Sequence, residues 1–185
     1  MMFVLRSSFQ NMHFLFIPLL LLSWFYLPVA NAQTTLKTVE CKIVRVTDGD
    51  TLKARCDIDT SARLLTTTIR IRDIDAPEHD QPFGPESSES LTQLCLDQTA
   101  HVELYMNNNE IEHDKYSRVL ARVNCRGKNV GTHQVEKGMA WVYRTYLDEY
   151  SNATELLQLE AAAKRKQIGL WQKTDSIPPW RWRRS

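Results

Sequence analysis

The sequence predicts an α+β fold, mainly β, built as one five-stranded barrel that carries about three helices. Three observations predict it. Residues 39–46, 51–58, 66–74, 101–105 and 118–124 are rich in alternating or β-branched apolar side chains, which reads as five strands. Segments with helical spacing and clear stop signals follow the third and the fifth of them. After residue 33 the chain shows no repeat, no low-complexity linker and no second composition regime, so one domain over residues 33–175 accounts for it, with a Trp/Arg-rich tail at 176–185.

The first two strands form a hairpin, because Asp48-Gly49 between them is a strong turn pair. The third, with Thr and Ile interleaved by Arg70 and Arg72, stops before Pro77, which cannot donate into a ladder. Residues 86–97 predict a helix with Leu91, Leu94 and Cys95 on one face. A polar stretch, 106–116, links the fourth and fifth strands. A short helix over 130–137 is stopped by Gly138. Asn152 followed by Glu155 fits a capping box for a last helix over 153–167, stopped by Gly169. Five strands in this order suggest the Greek-key barrel known as the oligonucleotide-binding, or OB, fold.

Residues 1–32 differ from the rest. Arg6 is their one charged side chain, the following run is apolar, and Ala30-Asn31-Ala32 ends in a small-residue pattern, which together read as a signal peptide cut after Ala32. The domain is therefore expected to be secreted or periplasmic. Without Arg6 the chain carries 22 basic and 22 acidic residues. The positive excess usual in nucleic-acid binders is absent, so any phosphate binding must come from local clustering. Four cysteines in an exported chain suggest two disulfides, with three pairings open. A hairpin centred on Asp48-Gly49 would set Cys41 opposite Cys56, which favours that bond and leaves Cys95–Cys125; a shifted turn would remove the argument. No Cys-x-x-Cys or His-x3-His spacing supports zinc.

Two short segments hold four carboxylates: Asp48-Gly49-Asp50-Thr51 at the hairpin turn, and Asp75-Ala76-Pro77-Glu78 where a strand stops. Carboxylates gathered at loop ends suit a hard cation such as calcium. Each segment alone reads equally as turn chemistry. Arg70 and Arg72 alone read as the solvent face of a strand, and Arg118 as the end of a charged turn. Arg70 and Asp75 are five apart, which on a regular strand sends them to opposite faces, so sharing one site requires a bend.

In order and spacing, the run from Val46 through Asp48, Asp50 and Thr51, then Arg70 with Asp75-Ala76-Pro77-Glu78, then Asp114-Lys115-Tyr116-Ser117-Arg118, resembles the staphylococcal nuclease (thermonuclease) family. Gly138-Met139-Ala140-Trp141, Tyr143, Tyr146 and Gly169-Leu170-Trp171 also resemble it, and the likeness spans residues 39–172. Three motifs in order are far more specific than one. The resemblance implies a calcium-dependent, sugar-nonspecific nuclease that hydrolyses DNA and RNA by in-line attack of water, leaving 3′-phosphate and 5′-hydroxyl ends. It implies that Asp50 and Asp75 bind Ca2+ through carboxylates and Ala76 through its carbonyl, with Asp48 behind them. Glu78 would be the general base, Arg70 and Arg118 would hold the phosphate, and Lys115 and Tyr116 would seat a neighbouring phosphate. The chain departs from the family in Ala76, where many members carry threonine, and in Ser117, where glycine is usual. A monomer with nucleic acid as its partner is expected.

Two other classes are weighed against this. A non-catalytic OB-fold module binding single strands has no need of the full set Asp50, Arg70, Asp75, Glu78 and Arg118. A calcium-binding structural protein has no use for the two arginines beside the acids. The tail, with Trp180 and Trp182 among arginines, suits either stacking on bases or folding back to cap the barrel.

Overall fold

The computed structural model describes residues 35–56 and 65–185; the expected leader lies outside them. In chain order the elements are β1 (Thr35–Asp48), β2 (Thr51–Cys56), β3 (Leu65–Ile71), β4 (Ile74–Asp75), α1 (Gly84–Cys95), β5 (Thr99–Asn107), β6 (Glu110–Ile111), β7 (Val119–Cys125), β8 (Lys128–Asn129), α2 (Val130–Glu136) and β9 (Trp141–Val142). A 3-10 segment (Arg144–Glu149), α3 (Ala153–Arg165), a second 3-10 turn (Gly169–Gln172) and the short α4 (Pro179–Trp182) complete the chain.

The five expected strands correspond to β1, β2, β3, β5 and β7, and they close a barrel. β1 pairs with β2, β2 with β3, β7 with β5 and β5 with β1, all antiparallel, while β3 and β7 close the circle in parallel. Inward-facing Ile43, Leu52, Ile69, Leu104, Ala121 and Val123 are fully buried. Removing such apolar area from water is worth roughly 25 cal/mol per Å2. The polar or exposed residues alternate with them along the strands, which is the period-2 signal already visible in the sequence.

The hairpin register differs from expectation in an instructive way. The ladder ends at Asp48↔Thr51, so the turn residues are Gly49-Asp50, not Asp48-Gly49. That shift alone would displace Cys41 from Cys56. Two irregularities in β1, between Ile43 and Arg45 and between Val46 and Asp48, take up the difference. Cys41 therefore still faces Cys56, and both disulfides form, Cys41–Cys56 and Cys95–Cys125.

Helix ends move for local reasons. α1 starts two residues before its expected position because Pro85 suits a first helical turn, which has no need of its missing N–H. It stops early because Asp97 N donates to Ile43 O and Ile43 N donates to Gln98 O, drawing that segment onto β1. Asn129 caps α2, its side chain accepting from Thr132 N at 3.0 Å. The capping box expected at Asn152 does not form. Its side-chain oxygen accepts from Arg122 Nη2 instead, at 3.3 Å.

Candidate active site

A cleft of about 670 Å3 opens where β1 turns into β2 and β3 breaks off, and all nine expected site residues line it: Asp48, Asp50, Arg70, Asp75, Ala76, Glu78, Lys115, Tyr116 and Arg118. A larger and shallower depression between α1 and α2, edged by Glu86, Glu89, His133 and Lys137, gathers no comparable set.

The bend required between Arg70 and Asp75 is present. β3 ends at Ile71, Arg72 and Asp73 turn the chain, and β4 continues in a separate two-stranded sheet with β9. Asp73 fixes the corner from inside, accepting from Tyr105 Oη at 3.0 Å and from Arg122 Nε at 3.1 Å. Its main-chain carbonyl accepts from Tyr143 N at 3.0 Å, and Tyr150 Oη donates to Arg72 O at 3.1 Å. The chain thus doubles back, and Arg70 reaches along it. Its Nη1 donates to the carbonyls of Ile71 and Ile74, and its Nη2 lies 3.0 Å from Asp75 Oδ1 and 3.4 Å from Asp50 Oδ2.

Asp50 is the meeting point. Asp48 accepts from Asp50 N at 3.0 Å and so shapes the turn. Asp50 Oδ2 accepts from Ala76 N at 2.8 Å, which ties the hairpin corner to the Asp75-Ala76-Pro77-Glu78 corner. Asp50 Oδ1 accepts from Thr51 Oγ1 at 2.9 Å, and that hydroxyl in turn accepts from Arg118 Nη1 at 3.1 Å. One carboxylate therefore lies within reach of Arg70 and is linked through Thr51 to Arg118.

The turn is also braced from behind. A Cβ on Gly49 would stand 1.8 Å from Ser87 Oγ, so only glycine lets α1 approach this closely. Gln134 Nε2 on α2 donates to Gly49 O at 2.9 Å and to Ser87 O at 3.0 Å. Neither contact has a signal in the sequence.

Arg118 is aimed by Asp114. Asp114 Oδ1 accepts from the main-chain N of Tyr116 and of Arg118, both at 2.9 Å, and Oδ2 accepts from Arg118 Nε at 2.6 Å. Burial works against the Asp114 carboxylate, but these bonds outweigh it and hold its pKa below the ordinary range. Ser117 in this loop has φ 61°, the left-handed region, which is why glycine suits the position. Lys115 and Tyr116 are exposed at the rim, with Lys115 Nζ 4.9 Å from the Tyr116 ring centre.

The residues gathered here fit a hard divalent cation. Asp50 and Asp75 are almost fully buried, at 5% and 2% exposure, and they crowd one another. Burial, then the charge of Asp50, push Asp48 up to about 7. The same two causes raise Asp75, against the opposing charges of Arg183 and Arg70. A cation among these oxygens would relieve that crowding. Two carboxylates and one main-chain carbonyl form a sparse set, and the described residues hold no cluster of three or more acidic, His or Cys ligands. Water would have to complete such a shell.

Some residues depart from expectation. Arg72 does not face solvent. It is 6% exposed, lies between the rings of Tyr105 and Tyr146 at 4.3 and 4.7 Å, and pairs with Glu149 at 2.7 Å. The tail folds back against the domain, with Pro179 buried and Trp180 set edge-on to Trp141, and it carries Arg183 into the cleft. A folded-back tail is one of the two outcomes its sequence suits, and nothing in the sequence signals the destination of Arg183.

Comparison with known proteins finds relatives over most of the chain. The family model described as "Staphylococcal nuclease homologue" matches residues 68–173. An "Uncharacterized endonuclease" of Escherichia coli is 34% identical over 171 residues, covering 91% of this chain and 96% of its own. A "Micrococcal nuclease" of Shigella flexneri is 33% identical over 153 residues, covering 78% and 80%. An "Uncharacterized endonuclease" of Haemophilus influenzae is 35% identical over 144 residues, covering 78% and 72%.

Proposed function

This chain belongs to the staphylococcal nuclease family, and on that premise we propose that it is a calcium-dependent nuclease cutting DNA and RNA without regard to the sugar. The observation that carries the reading is the convergence on Asp50: Arg70 lies beside it, Arg118 reaches it through Thr51, and Asp75 shares the Arg70 guanidinium.

The chemistry follows from what a phosphodiester requires. The group is anionic and repels hydroxide, so positive charge and an aimed nucleophile must be supplied. Arg70 and Arg118 offer planar forks that hydrogen-bond phosphate oxygens and stay protonated. Burial works against the Arg70 charge, but Asp50, Asp75 and Asp48 outweigh it and raise its pKa. Donors fixed where charge builds are worth roughly 3 to 4 kcal/mol each. Asp50, Asp75 and the Ala76 carbonyl would hold Ca2+, which supplies polarisation of a phosphoryl oxygen and orientation of the reactants. Because Ala76 contributes main chain, its missing hydroxyl costs little. Glu78 takes a proton from water as the water oxygen bonds to phosphorus. The bond to the 5′ oxygen breaks, that oxygen takes a proton from solvent, to which Glu78 gives up its own, and 3′-phosphate and 5′-hydroxyl ends result. Lys115 and Tyr116 at the rim seat an adjoining phosphate.

A sparse calcium site suits the calcium-rich medium outside the cytoplasm, and two disulfides suit the same non-reducing setting. No helix among the described residues is long and apolar enough to cross a membrane. We assign the chain to a secreted or periplasmic location, released from its leader and acting as a monomer.

The test is direct. Purified protein should degrade single-stranded DNA and RNA with calcium and stop with chelator. Glu78→Gln should lower the rate by about two to four orders of magnitude while nucleotide binding survives. An unaffected rate, or binding lost in proportion to rate, removes Glu78 from the role of base.

A further inference from the structure

The tail does more than fold back against the domain. Arg183 Nη2 donates to Asp75 Oδ2 at 2.9 Å, and its Nη1 reaches Glu78 Oε1 and lies 3.4 Å from Asp75 Oδ1. One guanidinium therefore spans both oxygens of Asp75 and one oxygen of Glu78. These are the carboxylates to which the proposed function gives metal binding and proton removal. Asp75 Oδ1 already accepts from Arg70, so Arg183 completes a ring of donors around a single buried carboxylate.

The approach of Arg183 is built, not incidental. Trp180 sits edge-on to Trp141, with ring centres 6.4 Å apart. Trp141 pairs with Asp75 across β4 and β9, so the tail is anchored on the strand neighbour of the residue it engages. Gln81 Nε2 donates to Ile177 O at 2.6 Å, and Trp182 Nε1 to Asp80 Oδ1 at 3.3 Å. These anchors lie on the tail just before Arg183 and on the segment that follows Glu78. A residue more than a hundred positions away in sequence is thereby delivered to two carboxylates at once.

We infer that Arg183 is a tethered cation that competes with the divalent metal for Asp75 and Glu78, so that the tail is an autoinhibitory plug. The inference rests on the proposed function, in which Asp75 ligates the metal and Glu78 is the base. Arg70 and Arg183 together take both acceptor sites of Asp75 Oδ1 and one of Oδ2, so a dication is left a single site beside a guanidinium whose charge repels it. A Glu78 oxygen that accepts from Arg183 is also less free to take a proton from water. Metal binding must therefore displace Arg183 while Trp180 stays on Trp141, and the plug weakens apparent calcium affinity by the strength of the contact it gives up.

Calcium titration calorimetry on the whole protein tests this with four proteins: unmodified, Arg183→Gln, Arg181→Gln and Asp50→Asn. Arg183 is exposed at its edge, so the substitution leaves the fold intact. Arg181→Gln removes an equal charge from the same tail at an exposed position without an ion pair among the described residues. Arg183→Gln should bind calcium about fivefold tighter, Arg181→Gln should match the unmodified protein, and Asp50→Asn should bind far more weakly. Equal affinities for Arg183→Gln and the unmodified protein, with Asp50→Asn still impaired, overturn the plug and leave the metal site standing. Equal tightening by both arginine variants also overturns it, since bulk charge would then be the cause. Absence of calcium binding throughout, or an Asp50→Asn variant that binds normally, overturns the metal reading and the plug with it.

Discussion

Ser117 shows how a single residue can record a backbone requirement. The loop before Arg118 needs φ near 61° at this position, because Asp114 gathers the amides of Tyr116 and Arg118 on one oxygen. A side chain in that region crowds its own carbonyl, at a cost of roughly 1 to 2 kcal/mol, part of which glycine gives back by its freedom in the unfolded chain. Ser117→Gly should therefore stabilise the protein by about 0.5 to 1 kcal/mol in a urea titration. A loss of stability would mean that the serine side chain makes a compensating contact. At this scale much of the site was legible. Asp50, Asp75, Glu78, Arg70 and Arg118 stand in short motifs whose order and spacing survive in one dimension. Thr51 and Asp114 stand in the same motifs without a legible role, because their roles depend on which neighbour a side chain meets, and Arg183 meets its partners across more than a hundred residues.

At the level of elements, α3 is pinned through one buried acid. Glu160 is 2% exposed and accepts from Val142 N at 3.0 Å, from Arg144 Nη2 at 2.7 Å and from Lys164 Nζ at 2.8 Å. Burial alone would raise its pKa, but the bonds from Arg144, Lys164 and Val142 outweigh it and carry the value below the ordinary 4.5. A depressed folded-state pKa contributes stability that is present above the unfolded value and is lost as pH falls through the folded one. Glu160→Gln should cost about 2 kcal/mol at pH 7, and the gap to the unmodified protein should narrow below about pH 4.5. Urea unfolding at pH 7 and at pH 3 measures it, and a gap that stays constant would exclude ionisation as its source. Element identity was readable because strand alternation and the Gly138 stop are local signals. The failed capping box at Asn152 was not readable. Asn152 and Glu155 have the right types at the right spacing, yet Arg122 of β7, thirty positions earlier, takes the asparagine oxygen.

At the scale of the whole molecule, the two disulfides close loops of 15 and 30 residues in sequence separation. Restricting the unfolded chain stabilises the fold by roughly 3 kcal/mol for the shorter loop and 3.5 for the longer. Removing the Cys95–Cys125 bond by paired alanine substitution should thus lower unfolding free energy at least as much as removing Cys41–Cys56, as read from denaturant midpoints. The reverse order would point to native contacts in place of loop entropy. The pairing itself was anticipated on a turn that is in fact one residue further on. Two irregularities in β1 restored the register, and nothing in the spacing announced them.

The parallel seam between β3 and β7 has a bearing on when the protein becomes able to act. Strands that run the same way cannot be joined by a tight turn, so Ile69 and Val119 must find each other across 50 positions of sequence. Closing a loop of that length costs more chain entropy than closing a hairpin, and the β1–β5 pairing, with Lys42 opposite Thr99, carries a similar cost. The hairpin of β1 and β2 with β3 alongside already assembles Asp50 and Arg70, yet Arg118 arrives only with the other side of the seam. On the proposed chemistry, a chain paired only through β1, β2 and β3 would hold Asp50 and one guanidinium, with Asp75 placed by the β4–β9 pair and Arg118 by the entry into β7.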